Sequence, residues 1–371
     1  MKKNRNLILF MPFIGGGGVE KNLFIIANYL SKKLNKVIVC TLSKDKKKKF
    51  TKRIKFLCSK NNFENFNIRI KYLVSLFILF KFLIKNKNSV VFAFQANIYC
   101  ILLCKILNVK IIIRSNSSPS GWYHNTIKKI IYKKIISLAD KVIVNSVEFK
   151  NQMENKFDIK VNCIFNPLDI KQIIKESKKG PIDYFFRSKK KCLKLINLGR
   201  FTQQKDQITI LKASKILKNF IDFRLLIYGR GIEREKLQEF INNNQLKKNV
   251  KLKNFIQNPY KILKQSDIFI LSSKYEGLPN VLLEAASLKK LIISTKCPTG
   301  PGEILSNGKG GIFFKIGDPK DLVKKIKFAI NNKKEMKKKV RFCFKNLKRY
   351  DYKENMNKYF HLVKTELEVS S

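Results

Sequence analysis

Short apolar runs alternate with amphipathic stretches along most of this chain. Residues 19–34 (VEKNLFIIANYLSKKL) repeat apolar positions at helical spacing, whereas residues 7–13 (LILFMPF) form a nearly unbroken apolar run. Similar runs, each bounded by a turn or a helical stretch, occur at residues 36–42, 89–95, 110–116 and 141–146. Strands that are buried on both faces read as continuous apolar runs. The pattern therefore predicts a parallel sheet with helices on both faces.

The pattern breaks once and then restarts. Residues 167–191 are basic, carry Pro and Gly, and lack strand periodicity, so they predict a linker. Strand-like runs return at residues 194–200, 223–231, 249–255, 267–273 and 291–296. We predict two doubly wound, Rossmann-like domains that face each other across a cleft. The predicted segments are a first domain (1–168), a linker (169–191), a second domain (192–345) and a helical tail (346–371) that packs back on the first domain.

The composition fits this picture and adds a strong charge. The chain has 371 residues, of which 44% are hydrophobic, and its 78 Lys and Arg against 26 Asp and Glu give a net charge of +52. Such a field attracts polyanions, although AT-rich codon usage would produce the same excess. Eight cysteines without a CxxC pair, and only two histidines, argue against structural zinc and suit a reducing compartment.

Neither a signal peptide nor a membrane span is expected. The first apolar run is cut short by the glycines at 15–18, and residues 72–84, the longest apolar stretch elsewhere, are too short to cross a bilayer. We therefore expect a cytoplasmic protein.

Three predicted strands end in glycines or basic residues. Residues 15–18 (GGGG) precede a helix, where backbone can approach an anion closely, but their spacing is not that of a dinucleotide-binding loop. In residues 199–205 (GRFTQQK), Arg200 and Lys205 are suited to clamp a diphosphate. Gly229 lies in the turn YGRG, which lets another group pack closely.

Residues 275–285 (YEGLPNVLLEA) place two carboxylates around a turn and a helix start. Pro279 and Asn280 favour a helix that begins near residue 280. Its free N–H groups, with the backbone of Gly277 and Leu278, are suited to hold a phosphate. Glu276 and Glu284 are then available to accept hydrogen bonds from sugar hydroxyl groups.

Several of these motifs, in this order, resemble the retaining GT-B glycosyltransferases of the family 4 type. Glu276 and Glu284 have the spacing of that family's E-x7-E motif. The resemblance extends to residues 17–30, to the GR…K segment at 199–205, to the turn at 228–231 and to residues 297–318 (CPTGPGEILSNGKGGIFFKIGD). It is collinear from about residue 7 to residue 365.

The resemblance implies a role for each of these groups. Arg200 and Lys205 would hold the donor diphosphate, Glu284 the ribose and Glu276 the transferred hexose. The other implied donor-binding residues are Gly277, Leu278, Pro279, Asn280, Gly17, Gly18, Gly229 and Phe255. Neither a cofactor nor a metal is expected. Two departures stand out: Lys289-Lys290-Leu291 replaces a Gly-x-Pro, and Gln95 or Asn97 stands where many relatives carry a histidine.

The first domain is expected to present the acceptor. Arg114, Asn116 and Gln95 follow strands there and are candidate acceptor-side residues. Residues 44–60, 71–87 and 125–136 mix lysines with apolar residues, as a peripheral contact with an anionic membrane requires. A core helix is the alternative interpretation of residues 72–84. We thus expect transfer of a hexose or N-acetylhexosamine from a nucleoside-diphosphate sugar, such as a UDP-sugar, to a lipid-linked oligosaccharide, lipopolysaccharide or polysaccharide at an inner membrane face.

Two other functions are consistent with parts of the sequence. A nucleotide-sugar epimerase would have the same architecture, but it needs acid–base carboxylates and histidines, in which this chain is poor; acceptor-dependent release of nucleotide separates the two. A nucleic-acid-binding protein would explain the charge, but the basic residues are spread over every segment, and we expect no nucleic-acid partner.

Overall fold

The computed structural model describes residues 5–15, 17–59, 61–63, 65–116, 126–187 and 192–368. These residues form two compact units. The first unit contains the chain up to Pro167 together with the residues from Tyr350 onward, and the second contains Leu168–Arg349.

The first unit is built on a parallel sheet of seven strands. In chain order they are β1 (Asn6–Phe10), β2 (Val37–Cys40), β3 (Lys55–Leu57), β4 (Ser89–Ala93), β5 (Lys110–Arg114), β6 (Lys141–Val144) and β7 (Asn162–Cys163). Their order across the sheet is β3-β2-β1-β4-β5-β6-β7, so that β1 pairs with both β2 and β4. The order changes direction at β1, as in doubly wound folds.

Five helices connect these strands: α1 (Gly18–Lys33), α2 (Ile68–Lys85), α3 (Asn97–Ile106), α4 (Thr126–Ser137) and α5 (Val147–Phe157). Successive strand residues face opposite sides of a sheet. Leu7 and Leu9 accordingly pack in one apolar cluster with α1, whereas Ile8 and Phe10 pack in another with α2, α3 and α5. The continuous apolar runs of the sequence therefore correspond to a sheet that is buried on both faces.

The second unit repeats this plan with six parallel strands. They are β8 (Leu193–Leu198), β9 (Phe223–Gly229), β10 (Val250–Asn254), β11 (Ile268–Leu271), β12 (Leu291–Thr295) and β13 (Ile312–Phe314), in the order β10-β9-β8-β11-β12-β13. The helices are α6 (Ile170–Glu176), α7 (Gln207–Leu217), α8 (Arg234–Asn243), α9 (Tyr260–Gln265), α10 (Asn280–Ser287), α11 (Pro301–Ile304), α12 (Pro319–Asn331) and α13 (Lys333–Asn346). The sheet again changes direction at its first strand, and β8 pairs with β9 and β11.

The segment that the sequence predicts as a linker carries structure of its own. It contains α6 and a short 3-10 helix, Tyr184–Phe186, and it belongs to the second unit. The buried Asp183 carboxylate accepts a hydrogen bond of 2.5 Å from the Tyr228 hydroxyl on β9. Burial, together with this bond, raises the pKa of Tyr228. This contact anchors the segment, and strand periodicity could not reveal it because the segment contains no strand.

The last helix, α14 (Tyr352–Glu368), is part of the first unit. Met356, Tyr359 and Val363 lie in the same apolar cluster as α1 and one face of the sheet. The Tyr29 hydroxyl also bonds Asn357 at 2.6 Å. Among the described residues, no helix has the length and apolar character needed to cross a bilayer.

Candidate active site

The loops that follow β8, β9, β11 and β12 meet at one edge of the second sheet, because the carboxyl ends of parallel strands lie together. The loop after β8 is tied to the loop after β11 by three hydrogen bonds. Ser272 Oγ donates to the Lys205 carbonyl oxygen at 2.8 Å, Lys274 N donates to Gln204 O at 2.8 Å, and Gln204 Nε2 donates to Tyr275 O at 2.9 Å. These bonds fix Lys205 beside the loop that carries Glu276.

Lys205 and Glu276 form a buried ion pair although they are 71 residues apart in sequence. Lys205 Nζ lies 2.5 Å from Glu276 Oε1, and the same oxygen accepts a hydrogen bond of 2.6 Å from Ser273 Oγ. The Glu276 residue is only 6% exposed. Burial of a carboxylate is costly unless a cation and a hydrogen-bond donor compensate it, and here both are present.

The backbone on either side of this carboxylate is held from the loop after β12. Thr299 is fully buried, and its hydroxyl donates to the carbonyl oxygens of Glu276 and, at 3.3 Å, Gly277. Thr299 has a φ of +64°, a conformation that β-branched residues rarely adopt. At the neighbouring Gly300, with φ +50°, a Cβ atom would overlap the Gly277 carbonyl oxygen and the Pro279 ring. The structure therefore requires glycine at position 300, where the two loops meet.

Glu284 lies five residues into α10, which begins at Asn280 as the sequence predicts. Its side chain is mostly buried, and the Tyr260 hydroxyl lies 3.3 Å from Glu284 Oε1. Leu278 and Pro279 are also buried, and Pro279 directly precedes the first helical residue. Residues 277–280 thus connect Glu276 to the start of the helix that carries Glu284, as the sequence predicts.

Gly229 and Gly231 bring the end of β9 against the loop after β8. A Cβ atom at Gly229 would overlap the carbonyl oxygen of Gly199, and one at Gly231 would overlap that of Phe201. Arg200, in this loop, is exposed to solvent. Phe255, just beyond β10, is half exposed, and the guanidinium of Arg230 lies 5.2 Å from its ring centre.

Several of the predicted site residues belong to the first unit. Gly17 and Gly18 are at the start of α1, where Gly17 N donates to Glu20 Oε2 at 2.8 Å; Gly16 lies outside the described residues. Gln95 is partly exposed just after β4. Asn116 Nδ2 donates to Phe94 O at 3.0 Å.

The structure corrects the prediction that Arg114 is an acceptor-side residue. Its side chain is fully buried, so its guanidinium is not presented to a ligand. Arg114 Nε donates to the Tyr359 hydroxyl at 3.0 Å, and the terminal nitrogens donate to Asn116 and Asn166. Arg114 therefore fixes the end of β5 against α14. Residues 117–122 of the loop predicted to follow it lie outside the described residues.

Sequence reasoning did not single out Ser273, Thr299, Tyr260 and Cys297. The Cys297 thiol is buried near Glu276, and burial, with the nearby carboxylate, raises its pKa to about 12. Thr299 and Cys297 lie in the segment 297–318, but the residues they approach, Glu276 and Gly277, are more than 20 positions away in sequence. Ser273 ends the predicted strand run 267–273 and contacts Glu276 of the same loop. Within the described residues, no group of three His, Cys, Asp or Glu side chains is placed to hold a metal ion.

Comparisons with known proteins agree on one family. Residues 183–342 match the family model "Glycosyl transferases group 1". An uncharacterized glycosyltransferase of Methanocaldococcus jannaschii is 37% identical over 218 residues, which are 55% of this chain and 53% of the relative.

A second relative comes from Campylobacter jejuni. It is the N-acetylgalactosamine-N,N'-diacetylbacillosaminyl-diphospho-undecaprenol 4-alpha-N-acetylgalactosaminyltransferase, 25% identical over 239 residues, which are 62% of this chain and 63% of the relative. The match thus spans between about half and two thirds of the length of these curated relatives.

Among solved structures, Anabaena HepE in complex with UDP and glucose has a TM-score of 0.77 at 14% identity, with 97% of this chain and 100% of that chain covered. At this identity the likeness shows the fold, two parallel-sheet units of the GT-B type. Residues 183–342, which make up most of the second unit, are thus similar to the group 1 glycosyltransferases.

Proposed function

We propose that the chain is a retaining glycosyltransferase that transfers a hexose or N-acetylhexosamine from a nucleoside-diphosphate sugar, with UDP as the nucleotide. The observation that carries the proposal is the Lys205–Glu276 pair. A cation suited to phosphate and a carboxylate suited to sugar hydroxyls share one buried position. The complex of the HepE fold relative with UDP and glucose supports the choice of donor.

The reaction we propose breaks the bond between the anomeric carbon and the diphosphate oxygen. Negative charge develops on the diphosphate, where Lys205 and Arg200 stabilise it. The acceptor hydroxyl oxygen bonds to the anomeric carbon on the same face, and its proton passes to the departing phosphate oxygen. Configuration is thereby retained without a covalent intermediate.

Glu276 acts in this proposal by positioning the hexose rather than as a nucleophile. Its Oε1 is shared by the Lys205 ammonium and the Ser273 hydroxyl, both of which withdraw charge from the oxygen. An oxygen whose lone pairs are already engaged by two donors is a weaker nucleophile than one left free. Glu284 holds the ribose, and the backbone between Gly277 and Asn280 approaches the phosphates.

The acceptor we propose is a lipid-linked oligosaccharide, lipopolysaccharide or polysaccharide, met at the inner face of a membrane. The name of the Campylobacter jejuni relative specifies a sugar chain on diphospho-undecaprenol, which supports this class. The high positive charge of the chain favours an anionic surface.

A panel of UDP-, GDP- and ADP-sugars, scored for nucleotide release with and without acceptor lipid, tests the proposal. We expect acceptor-dependent release from a UDP-sugar. Because hydrogen bonds to a charged group contribute about 1.5–3 kcal/mol, Glu284→Ala is expected to raise KM for the donor by about tenfold to a hundredfold. Glu239→Ala, an exposed carboxylate on α8, is the matched control. Unchanged kinetics in Glu284→Ala would contradict the assignment.

A further inference from the structure

Helix α2 is largely apolar, and among the described residues it is buried along one side only. Its buried positions are Lys71, Ser75, Leu79 and Leu83, which recur every four residues and form one stripe toward the sheet. At 100° per residue, the exposed Leu73, Phe77 and Ile84 fall on the opposite side. Large apolar side chains on a helix are normally buried, in a protein core or in lipid.

The neighbouring helices continue this apolar surface. Helix α3 packs against both α2 and α4. Its exposed Tyr99, Leu102 and Ile106 have the spacing i, i+3, i+7 of a single helix face, and Ile106 is 80% exposed. Helix α4 exposes Ile130 and Ile131 between its lysines. We call the outer surface of α2, α3 and α4 the helical face.

Exposed large apolar side chains are concentrated in the segment that carries the helical face. Among the described residues, 13 of the 22 large apolar side chains that are exposed to solvent lie between positions 65 and 139, about a fifth of the chain. Single exposed apolar residues are ordinary, but a concentration of them marks an interaction surface.

The charged residues of the same segment are all basic. Residues 65–139 contain 12 Lys and Arg and not one Asp or Glu, although the chain as a whole has 26 acidic residues. Four of these lysines, at positions 128, 129, 133 and 134, flank the exposed isoleucines of α4. Apolar side chains between lysines on a surface helix are the arrangement that binds an anionic lipid surface.

We propose that the helical face is a docking surface for an anionic phospholipid bilayer, with the apolar side chains at the level of the acyl boundary and the lysines at the headgroups. The inference rests on the proposed function, which it deepens by assigning the surface that meets the membrane carrying the acceptor. A second copy of the chain fits this face poorly, because two such surfaces would oppose like charges. A nucleic acid would leave the apolar side chains uncovered.

The test is co-flotation of the full chain with vesicles of phosphatidylcholine alone or mixed with phosphatidylglycerol, at low and high salt. Binding is expected only to the anionic vesicles and should weaken as salt screens the lysines. Each lysine at an anionic surface contributes about fivefold to partitioning. Replacing Lys128, Lys129, Lys133 and Lys134 with Gln should therefore abolish measurable binding.

Two matched controls separate the face from the overall charge. Replacing Lys333, Lys334, Lys337 and Lys338 on α13 with Gln removes the same charge from the second unit and should leave most binding intact. Leu73→Ser with Phe77→Ser should reduce binding at least about tenfold, because two large apolar side chains no longer enter the lipid. Phe220→Ser with Ile316→Ser, exposed residues of the second unit, should not.

Equal binding to neutral vesicles, or equal losses in the face variants and their controls, would overturn the proposal. UDP binding measured without vesicles reports on the second unit independently. If UDP binds and vesicles do not, the docking surface is wrong while the proposed function stands. If vesicles bind through the face and UDP does not bind, the proposed function fails instead.

Discussion

At the scale of single residues, the candidate site depends on contacts that cross between strand ends. The Glu276 carboxylate contacts Lys205 from the loop after β8 and Ser273 from its own loop. The Glu276 backbone carbonyl oxygen accepts a hydrogen bond from Thr299, in the loop after β12. The carboxylate is therefore fixed before any ligand arrives. Preorganisation of this kind is what a site for a charged transition state requires.

Thr299→Val tests whether this fixed backbone matters for turnover. Valine matches the shape of Thr299 but cannot donate to the Glu276 and Gly277 carbonyl oxygens. A hydrogen bond of this kind contributes about 1 kcal/mol, so kcat/KM for the donor should fall about fivefold to tenfold.

Thr299→Ser, which restores the hydroxyl, should recover most of the rate. Steady-state kinetics at saturating acceptor give the comparison, and thermal melts check that all variants are folded. If Ser and Val proved equally impaired, the shape of the side chain and not its hydroxyl would be what matters.

At the scale of elements, the alternation of apolar runs and helices predicted the sheets well, because strands buried on both faces leave a strong signal. The short strands β3, β7 and β13 were not predicted: they have three, two and three residues, and neither β3 nor β7 has a fully buried residue. Helix α6 was not predicted, because it lies in a basic stretch and the contacts that stabilise it come from residues distant in sequence. The site motifs were visible, but the pairing of Lys205 with Glu276 was not, because spacing says nothing about residues 71 positions apart.

Helix α14 shows how a terminal element can complete a distant core. Tyr359 is fully buried, packs with β4 through Phe92 and accepts the hydrogen bond from Arg114 Nε. Tyr359→Ala should reduce the free energy of unfolding of the first unit by about 3–5 kcal/mol, through lost packing and a buried cation with one fewer partner.

Urea unfolding followed by circular dichroism measures this loss. Lys358→Ala, an exposed neighbour on α14, is the control and should change stability by less than about 0.5 kcal/mol. A Tyr359→Ala protein as stable as the control would show that α14 is dispensable for the first unit.

At the scale of the whole molecule, a net charge of +52 means that weak binding of any polyanion is expected and proves little. A specific nucleotide site must therefore be distinguished from the general field. Two pairs of basic residues in the second unit allow this distinction. Arg200 and Lys205 belong to the candidate site, whereas Arg341 and Lys338 lie exposed on α13.

Calorimetric titration of UDP into the intact chain, the Arg200→Ala/Lys205→Ala variant and the Arg341→Ala/Lys338→Ala control tests the central claim most directly. All variants lose two positive charges, but only the first loses the proposed diphosphate clamp. Hydrogen bonds to charged groups contribute about 1.5–3 kcal/mol each, so we predict at least about a hundredfold weaker Kd in the clamp variant and little change in the control. Equal affinity in the two double variants would contradict the account.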